Sequence, residues 1–127
     1  MIELKDLNPH DHKTTPVIDK NLGILLERIR ELESAFGEDF IITSGLRSDE
    51  QQQQLIKLGK TNARYSKHCA GLAADIYDPE NKVKDFILSR TWILEKIGLW
   101  CEDFGHTPNW VHVQIIPPMS GKRFFIP

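Results

Sequence analysis

The spacing of apolar residues in the first third of the chain predicts a helix followed by a strand. Apolar residues recur every three or four positions from about residue 20 to residue 36, with charged residues between them, which is typical of an amphipathic helix. Gly37 follows directly and predicts the end of this helix. Residues 8–17 contain many turn formers and predict a loop before it, whereas the β-branched run 40–43 predicts a short buried strand after it.

Polar and apolar patterns in the rest of the chain predict further helices and strands. Ser48 and Gln51 have the spacing of a capping box, which predicts a second helix from Asp49 to Leu58. The remaining patterns predict a loop over 59–71, a strand over 72–77, a helix over 81–97 and a hairpin of two strands over 98–103 and 109–115, and they assign no element to the tail after Pro118. Together these elements predict an α+β fold: a small antiparallel sheet with helices packed on one side.

The length and charge of the chain limit the class of protein. A chain of 127 residues that is 40% apolar and 27% charged suits a single domain over 1–127 with its own core. The formal net charge is −2 and the basic residues are scattered, so we expect no nucleic acid partner. No apolar run is long enough to span a bilayer and no export signal opens the sequence, which predicts no membrane partner and cytoplasmic synthesis. We also expect the chain to be a monomer.

Two side chains with metal-binding chemistry lie close together in the centre of the sequence. His68 and Asp75 are separated by Gly71 and by small residues, so a loop that turns at Gly71 and enters a strand can bring the two together. Zinc accepts imidazole nitrogen and carboxylate oxygen as ligands, and a catalytic zinc site uses three protein ligands. This segment therefore predicts two of three ligands.

The predicted strand near the C-terminus offers a third ligand. Alternation along it places Trp110, His112 and Gln114 on one face, and Val111 and Val113 on the other. His112 can thus face the strand of Asp75 while the valines pack in the core. A single buried histidine is more often a core residue and a single aspartate at a strand end is more often a cap, so the prediction depends on the three residues together.

The segment around the first two ligands resembles a known family of zinc peptidases. Its fixed positions match the motif SxHxxGxAxD, which is the signature of zinc D-alanyl-D-alanine carboxypeptidases, vancomycin-resistance D,D-dipeptidases, phage L-alanyl-D-glutamate endolysins and the hedgehog signalling domain. These positions are Ser66, His68, Gly71, Ala73 and Asp75. Residues 44–47, SGLR, are similar to the family's SGxR, and residues 110–112, WVH, are similar to its strand with the last histidine.

The resemblance implies a fold, a cofactor and a reaction. By this resemblance His68, Asp75 and His112 bind Zn2+, while Arg47 and Ser66 bind substrate, with Arg47 at its carboxylate or at the developing oxyanion. The implied fold is like that of hedgehog and the D,D-peptidases. The implied reaction is hydrolysis of peptidoglycan stem peptides, at a D-Ala-D-Ala or an L-Ala-D-Glu bond. Small members of this kind occur in phages, where they are released to the cell wall or carried with the virion.

The chain departs from the family pattern at the general base. Family enzymes place this group three residues before the last histidine, as Glu or Asp, or two before it, as His, but this chain has Asn109 and Trp110 there. Neither side chain accepts a proton at ordinary pH. The alternative function is therefore a zinc-binding module with weak or no catalysis, as a binding or structural component of a phage or bacterium.

The proposed hairpin offers three other candidates for the base. Glu102 and Asp103 lie on its first strand and His106 lies in its turn. We favour Glu102, because a hairpin closed around residues 105–108 puts it nearly opposite Val111 and within reach of His112. A solvent-exposed strand carboxylate is an equally good interpretation of Glu102.

Several other residues carry weaker hypotheses. His10 and His12 flank an aspartate in a turn-rich loop and are better interpreted as solvated than as metal ligands. Cys69 could replace His68 as a ligand, although a small buried hydrophobe is the simpler interpretation. Trp100 and Trp110 could line a substrate cleft, or pack against each other across the hairpin.

Overall fold

The computed structural model describes residues 1–60 and 66–127. The described helices are α1 Leu4–Leu7, α2 Pro16–Phe36, α3 Asp49–Lys57, α4 Lys82–Leu88 and α5 Trp92–Ile97, with 3-10 helices at Lys67–Ala70 and Phe104–His106. The described strands are β1 Ile42–Ser44, β2 Ala73–Tyr77, β3 Trp100–Glu102, β4 Trp110–Gln114 and β5 Phe124–Phe125. The α+β prediction is confirmed, and the predicted strands and the helix from Asp49 agree with the structure to within two residues at each end.

The described strands form one sheet in the order β1-β2-β4-β3-β5. The first four strands pair antiparallel, as predicted, and the hairpin of β3 and β4 is confirmed. The fifth strand was not predicted, and it pairs parallel with β3, so the sheet is mixed at this edge. The central pair, β2 with β4, places the segments with the candidate ligands side by side in the middle of the sheet.

Alternation along the two central strands separates the core from the site. Ala74 and Ile76 of β2, with Val111 and Val113 of β4, are buried in one hydrophobic cluster that also contains the apolar stripe of α2. The intervening residues point to the opposite face of the sheet. The helical core thus supports one side of the sheet and leaves the other side for polar chemistry.

The long helix α2 begins earlier than predicted and ends where predicted. Pro16 occupies its first turn, and the side chain of Thr15 accepts a hydrogen bond from the backbone N–H of Ile18 at 3.2 Å. These two residues form a helix start that the apolar spacing alone did not show. Gly37 has a φ of 88° and ends the helix in the left-handed conformation, which confirms the predicted stop.

The prediction of one continuous helix over 81–97 is wrong. The structure has two helices, α4 and α5, separated by residues 89–91. The hydroxyl of Ser89 donates to the carbonyl of Phe86 at 2.8 Å, and the backbone N–H of Arg90 bonds to Ile87, three residues earlier, at 3.0 Å. These bonds tighten the last turn of α4 and end it, although the apolar spacing continues across the break.

The C-terminal tail packs along the edge of the sheet. The backbone N–H of Cys101 donates to the carbonyl of Arg123 at 2.8 Å, and that of Asp103 donates to Phe125 at 2.7 Å. The guanidinium of Arg123 lies 4.1 Å from the ring centre of Trp100, whose strand partner is Gln114 and not Trp110. The tryptophan pair is therefore not a cross-strand pair. Within the described ranges, no helix has the length and apolar character needed to cross a membrane.

Candidate metal centre

The pairing of β2 with β4 brings the predicted aspartate and the second histidine together. Asp75 and His112 are directly opposite each other in the antiparallel register. Opposite residues of neighbouring strands point to the same face, and the Nδ1 atom of His112 lies 3.0 Å from Oδ1 of Asp75. The backbone ladder thus determines this contact, and both side chains are buried.

The first histidine is presented by a short 3-10 helix. The hydroxyl of Ser66 caps this helix by accepting from the backbone N–H of His68 at 3.1 Å, and Gly71 ends it with a φ of 72°. The predicted turn at Gly71 is confirmed. A neighbouring loop holds the imidazole, since Nδ1 of His68 lies 3.0 Å from the carbonyl oxygen of Gly45. This contact leaves Nε2 directed at Asp75, 3.4 Å from its Oδ1.

One ligand atom from each of the three residues lies within 4.8 Å of the other two. In the part of the chain that the structure describes, His68, Asp75 and His112 are the one group of this kind. The ring centres of the two histidines are 5.2 Å apart. Neither the His10–His12 segment nor Cys69 belongs to the group, so the structure does not support metal binding there.

The protonation of the group suits a cation at its centre. Burial raises the pKa of Asp75, but hydrogen bonds from His112 and His68 outweigh this effect and hold the pKa well below its ordinary value. Burial lowers the pKa of His68, whereas at His112 the contact with Asp75 outweighs burial and raises the pKa. The buried carboxylate is thus charged, with two imidazole nitrogens directed at it. A metal ion can take the place of the protons between these atoms.

The predicted substrate residue Arg47 lies beside the carboxylate. Its Nη2 atom is 3.8 Å from Oδ2 of Asp75, while its Nε donates to the hydroxyl of Ser44 at 3.2 Å and its Nη1 to Oε1 of Gln52 at 3.3 Å. Its backbone N–H also donates to the carbonyl of His68 at 3.2 Å. Arg47 also lines a cleft of ≈ 440 Å³ between the segment 43–47 and α3, and none of the three ligands lines this cleft. Arg47 is thus in contact with the carboxylate of the ligand group on one side and lines the cleft on the other.

The register of β3 places Glu102 on the face of the site. Trp100 pairs with Gln114 and Cys101 with Val113, so continuing by one residue places Glu102 opposite His112. This position is one residue away from the predicted one, which was nearly opposite Val111. Since opposite residues share a face, the carboxylate of Glu102 lies on the same side of the sheet as the imidazole. Burial raises the pKa of Glu102, and the neighbouring charge of His112 opposes this shift.

The other two base candidates lie in the turn beyond β3. The carboxylate of Asp103 accepts from the backbone N–H of Gly105 at 3.2 Å and caps the 3-10 helix Phe104–His106. Nε2 of His106 lies 3.9 Å from Oδ2 of Asp103, and the side chains of both are about half exposed, at 49% each. Their environment is that of a surface turn, whereas Glu102 is partly buried beside His112.

Two residues at the site were not assigned a role from the sequence. Oε1 of Gln114 lies 3.0 Å from Nε2 of His112, on the ring nitrogen that faces away from Asp75. The strand alternation placed Gln114 on the correct face but suggested no partner. The ring of Phe125, on β5, packs edge-on against that of His112 with 6.0 Å between their centres. No sequence signal indicated Phe125, because its strand was not predicted.

Comparison with known protein families agrees with this geometry. A family model described as Peptidase M15 matches residues 3–114, a range that contains all three candidate ligands. The chain belongs to the peptidase M15 family. The predicted resemblance to this class of peptidases is therefore confirmed. A sequence comparison with curated proteins finds no significant match.

A solved structure supports the fold. The crystal structure of the Serratia marcescens L-Ala D-Glu endopeptidase ChiX is similar to this chain, with a TM-score of 0.59 and 21% sequence identity. The similarity covers 87% of this chain and 95% of that chain. The arrangement of helices and sheet is thus one that a peptidase of known structure also adopts.

Proposed function

We propose that this chain is a zinc-dependent peptidase that hydrolyses stem peptides of bacterial peptidoglycan. The convergence of His68, Asp75 and His112 on one point carries the proposal. Membership of a peptidase family supports hydrolysis of a peptide bond. The structural neighbour is an L-Ala D-Glu endopeptidase, which favours the L-Ala-D-Glu bond over the D-Ala-D-Ala bond as the one cleaved.

The donor atoms of the three residues fit zinc. Nε2 of His68, the carboxylate of Asp75 and Nδ1 of His112 would hold the ion, which is the three-ligand set of catalytic zinc sites. When bound, zinc supplies Lewis-acid polarisation of the scissile carbonyl and lowers the pKa of water to about 7. Cytoplasmic synthesis and a phage origin stay predictions from the sequence.

Residues of the chain would perform the proton transfer and hold the substrate. The carboxylate of Glu102 takes a proton from the attacking water and returns it to the leaving amine, because it shares a face with His112 and its pKa is raised toward the working range of a general base. The guanidinium of Arg47, at the edge of the cleft, holds an anionic group of the substrate. Ser66 already uses its hydroxyl to cap the helix of His68, so its predicted contact with substrate would add to that role.

The proposal is tested by incubating the purified protein with zinc and peptidoglycan and labelling new amino termini. We expect new termini to appear with zinc and to be absent with a chelator. Mass spectrometry of the released fragments identifies the bond, since an L-Ala-D-Glu cut exposes the amine of D-Glu and a D-Ala-D-Ala cut releases free D-Ala. A protein that binds zinc and exposes no new amine would contradict the proposal.

Replacement of Glu102 by glutamine tests the general base. We expect Glu102→Gln to lower kcat by roughly 10²- to 10⁴-fold, the usual contribution of a general base, while zinc affinity changes little. The substitution keeps the size of the side chain and removes its ability to accept a proton. The measurement is the rate of amine release at saturating zinc, with zinc content determined on the same sample.

Matched variants in the neighbouring turn serve as controls. Asp103→Asn and His106→Ala remove the other two candidates, and we expect both to retain activity because their side chains lie in a more exposed turn. If Glu102→Gln keeps full activity and one of the other variants loses it, that other residue is the base. Full activity in all three variants would contradict proton transfer by this hairpin.

The alternative function, a zinc-binding module without catalysis, has one observation in its favour. Asn109 stands where family enzymes place a carboxylate base, and it is exposed with a left-handed φ of 70°. Its carbonyl accepts from the backbone N–H of Asp78 at 2.7 Å, so the residue supports the turn before β4. Zinc binding with retention on peptidoglycan and no cleavage would favour this function. Gain of activity in Asn109→Asp would show that only the base is missing.

A further inference from the structure

We propose that Gln114 is a positioning residue that accepts the Nε2 proton of His112 and thereby directs Nδ1 at the metal. The inference rests on the proposed function only in taking a metal ion as the occupant of the site. It concerns the tautomer of one ligand, which the three ligand residues do not determine by themselves. Gln114 would act through His112 and has no contact with substrate in this role.

The orientation of the Gln114 amide follows from its second hydrogen bond. Its Nε2 atom donates to the backbone carbonyl of Ile116 at 2.9 Å. A carbonyl oxygen can only accept, so the nitrogen of the amide must face Ile116 and the oxygen must face the other way. The oxygen lies 3.0 Å from Nε2 of His112. This end of the amide is therefore an acceptor.

An acceptor at this position determines which nitrogen of the imidazole is protonated once a cation is bound. Asp75 and Gln114 both present acceptors to the ring, and without a cation Nδ1 donates to the carboxylate at 3.0 Å. A cation between Nδ1 and Asp75 would take the place of that proton, so the neutral ring would keep its proton on Nε2 and donate it to Gln114. Without the amide oxygen of Gln114, this buried N–H would have no partner, which is costly.

The imidazole of His68 is also held by a hydrogen-bond acceptor, but the roles of its two ring nitrogens are reversed relative to His112. Nδ1 of His68 donates to the backbone carbonyl of Gly45, and its Nε2 faces Asp75. Each imidazole thus has an acceptor on the nitrogen that faces away from the carboxylate. In one case the acceptor is backbone and in the other it is the side chain of Gln114. Only the second can be removed by substitution.

Gln114 is well placed to hold a fixed geometry. Its side chain is buried, with 2% of the residue exposed, so water competes little for its hydrogen bonds. Its backbone lies in the centre of the sheet and pairs with Ala73 on one side and Trp100 on the other. Both ends of the amide are engaged, one with the ligand and one with the backbone two residues later.

The first test compares zinc affinities of two variants with that of the wild type, by competition with a fluorescent chelator. Gln114→Met keeps a side chain of similar length and removes the acceptor, and we expect zinc affinity to fall by roughly 10- to 100-fold, as for other partners of metal ligands. Gln114→Glu restores an acceptor, and we expect an affinity within about threefold of the wild type. Gln53→Met makes the same chemical change on the exposed side of α3 and should bind like the wild type.

The second test observes the ring of His112 directly in the zinc-bound protein. Nitrogen-15 NMR should show Nδ1 as the metal-bound nitrogen and Nε2 as the protonated one in the wild type and in Gln114→Glu. In Gln114→Met the Nε2 proton has lost its acceptor, and we expect it to exchange faster with water. Thermal unfolding of each variant establishes that the fold is retained.

The outcomes separate this inference from the proposed function. A Gln114→Met protein that binds zinc like the wild type, with an Nε2 proton that exchanges as slowly, would overturn the inference. A wild type that binds zinc and cleaves no peptide would overturn the proposed function and leave the role of Gln114 standing. A wild type that binds no zinc would overturn both.

Discussion

Asp75→Asn is expected to abolish both zinc binding and hydrolysis. Oδ1 of Asp75 lies within 3.4 Å of the facing nitrogens of both His112 and His68, so the carboxylate is the centre of the ligand set. A neutral amide provides a weaker ligand and leaves the positive ion without its only carboxylate in the group. Zinc affinity should therefore fall by more than the roughly 10- to 100-fold typical of losing an outer partner. Chelator competition and amine release from peptidoglycan measure the two losses.

The fold should survive this change, which makes the loss interpretable. The backbone ladder of β2 with β4 runs from Ala73 to Tyr77 and does not depend on the side chain of Asp75. Asp85→Asn makes the same substitution on an exposed position of α4 and serves as the control for charge alone. Near-wild-type zinc affinity in Asp75→Asn would exclude this carboxylate as a ligand.

Local patterns in the sequence were sufficient to predict the centre of the site. The alternation of residues along β4 correctly placed His112 and Gln114 on one face and the valines in the core. The position of Asp75 in a strand, and the turn at Gly71, also follow from short-range features. The family motif then connected residues that are distant in sequence. These features depend on periodicity and backbone conformation, which a short segment reveals.

Contacts that depend on pairing between distant segments could not be predicted in the same way. Glu102 was predicted nearly opposite Val111, and continuing the pairing of β3 with β4 by one residue puts it opposite His112. The packing of Phe125 against His112 follows from a two-residue strand that pairs with β3 at the edge of the described sheet. A strand of two residues is too short to show the alternation of apolar and polar residues that would predict it. The sequence motif SGLR included Gly45 without showing why a glycine is needed there.

Gly45→Ala is expected to destabilise the protein and to weaken zinc binding at the same time. A Cβ atom at this position would lie 2.3 Å from the carbonyl oxygen of Leu7 and 2.8 Å from its carbonyl carbon. These are backbone atoms at the end of α1, so they cannot rotate away, and α1 or the loop must shift. Overpacking of this kind costs roughly 1–3 kcal/mol of unfolding free energy, measured by chemical denaturation.

The effect should reach the metal centre because the loop of Gly45 and Leu46 is hydrogen-bonded both to α1 and to the imidazole of His68. The backbone N–H of Leu46 donates to the carbonyl of Leu7 at 2.7 Å, and the carbonyl of Gly45 accepts from Nδ1 of His68 at 3.0 Å. A displacement of the loop therefore moves the imidazole relative to Asp75. We therefore expect folded Gly45→Ala to bind zinc more weakly than the wild type. Chelator competition measures this affinity under conditions where the variant is folded.

Gly23→Ala is the matched control for Gly45→Ala. Gly23 lies inside α2, and a Cβ atom there would meet nothing within 4 Å. Alanine is favoured over glycine in a helix by roughly 1 kcal/mol, so this variant should be more stable than the wild type and bind zinc equally well. If Gly23→Ala raises the unfolding free energy and Gly45→Ala lowers it, then the close approach to Leu7, and not the loss of glycine flexibility, causes the destabilisation. Equal stability of Gly45→Ala and the wild type would mean that α1 is free to move away from the site.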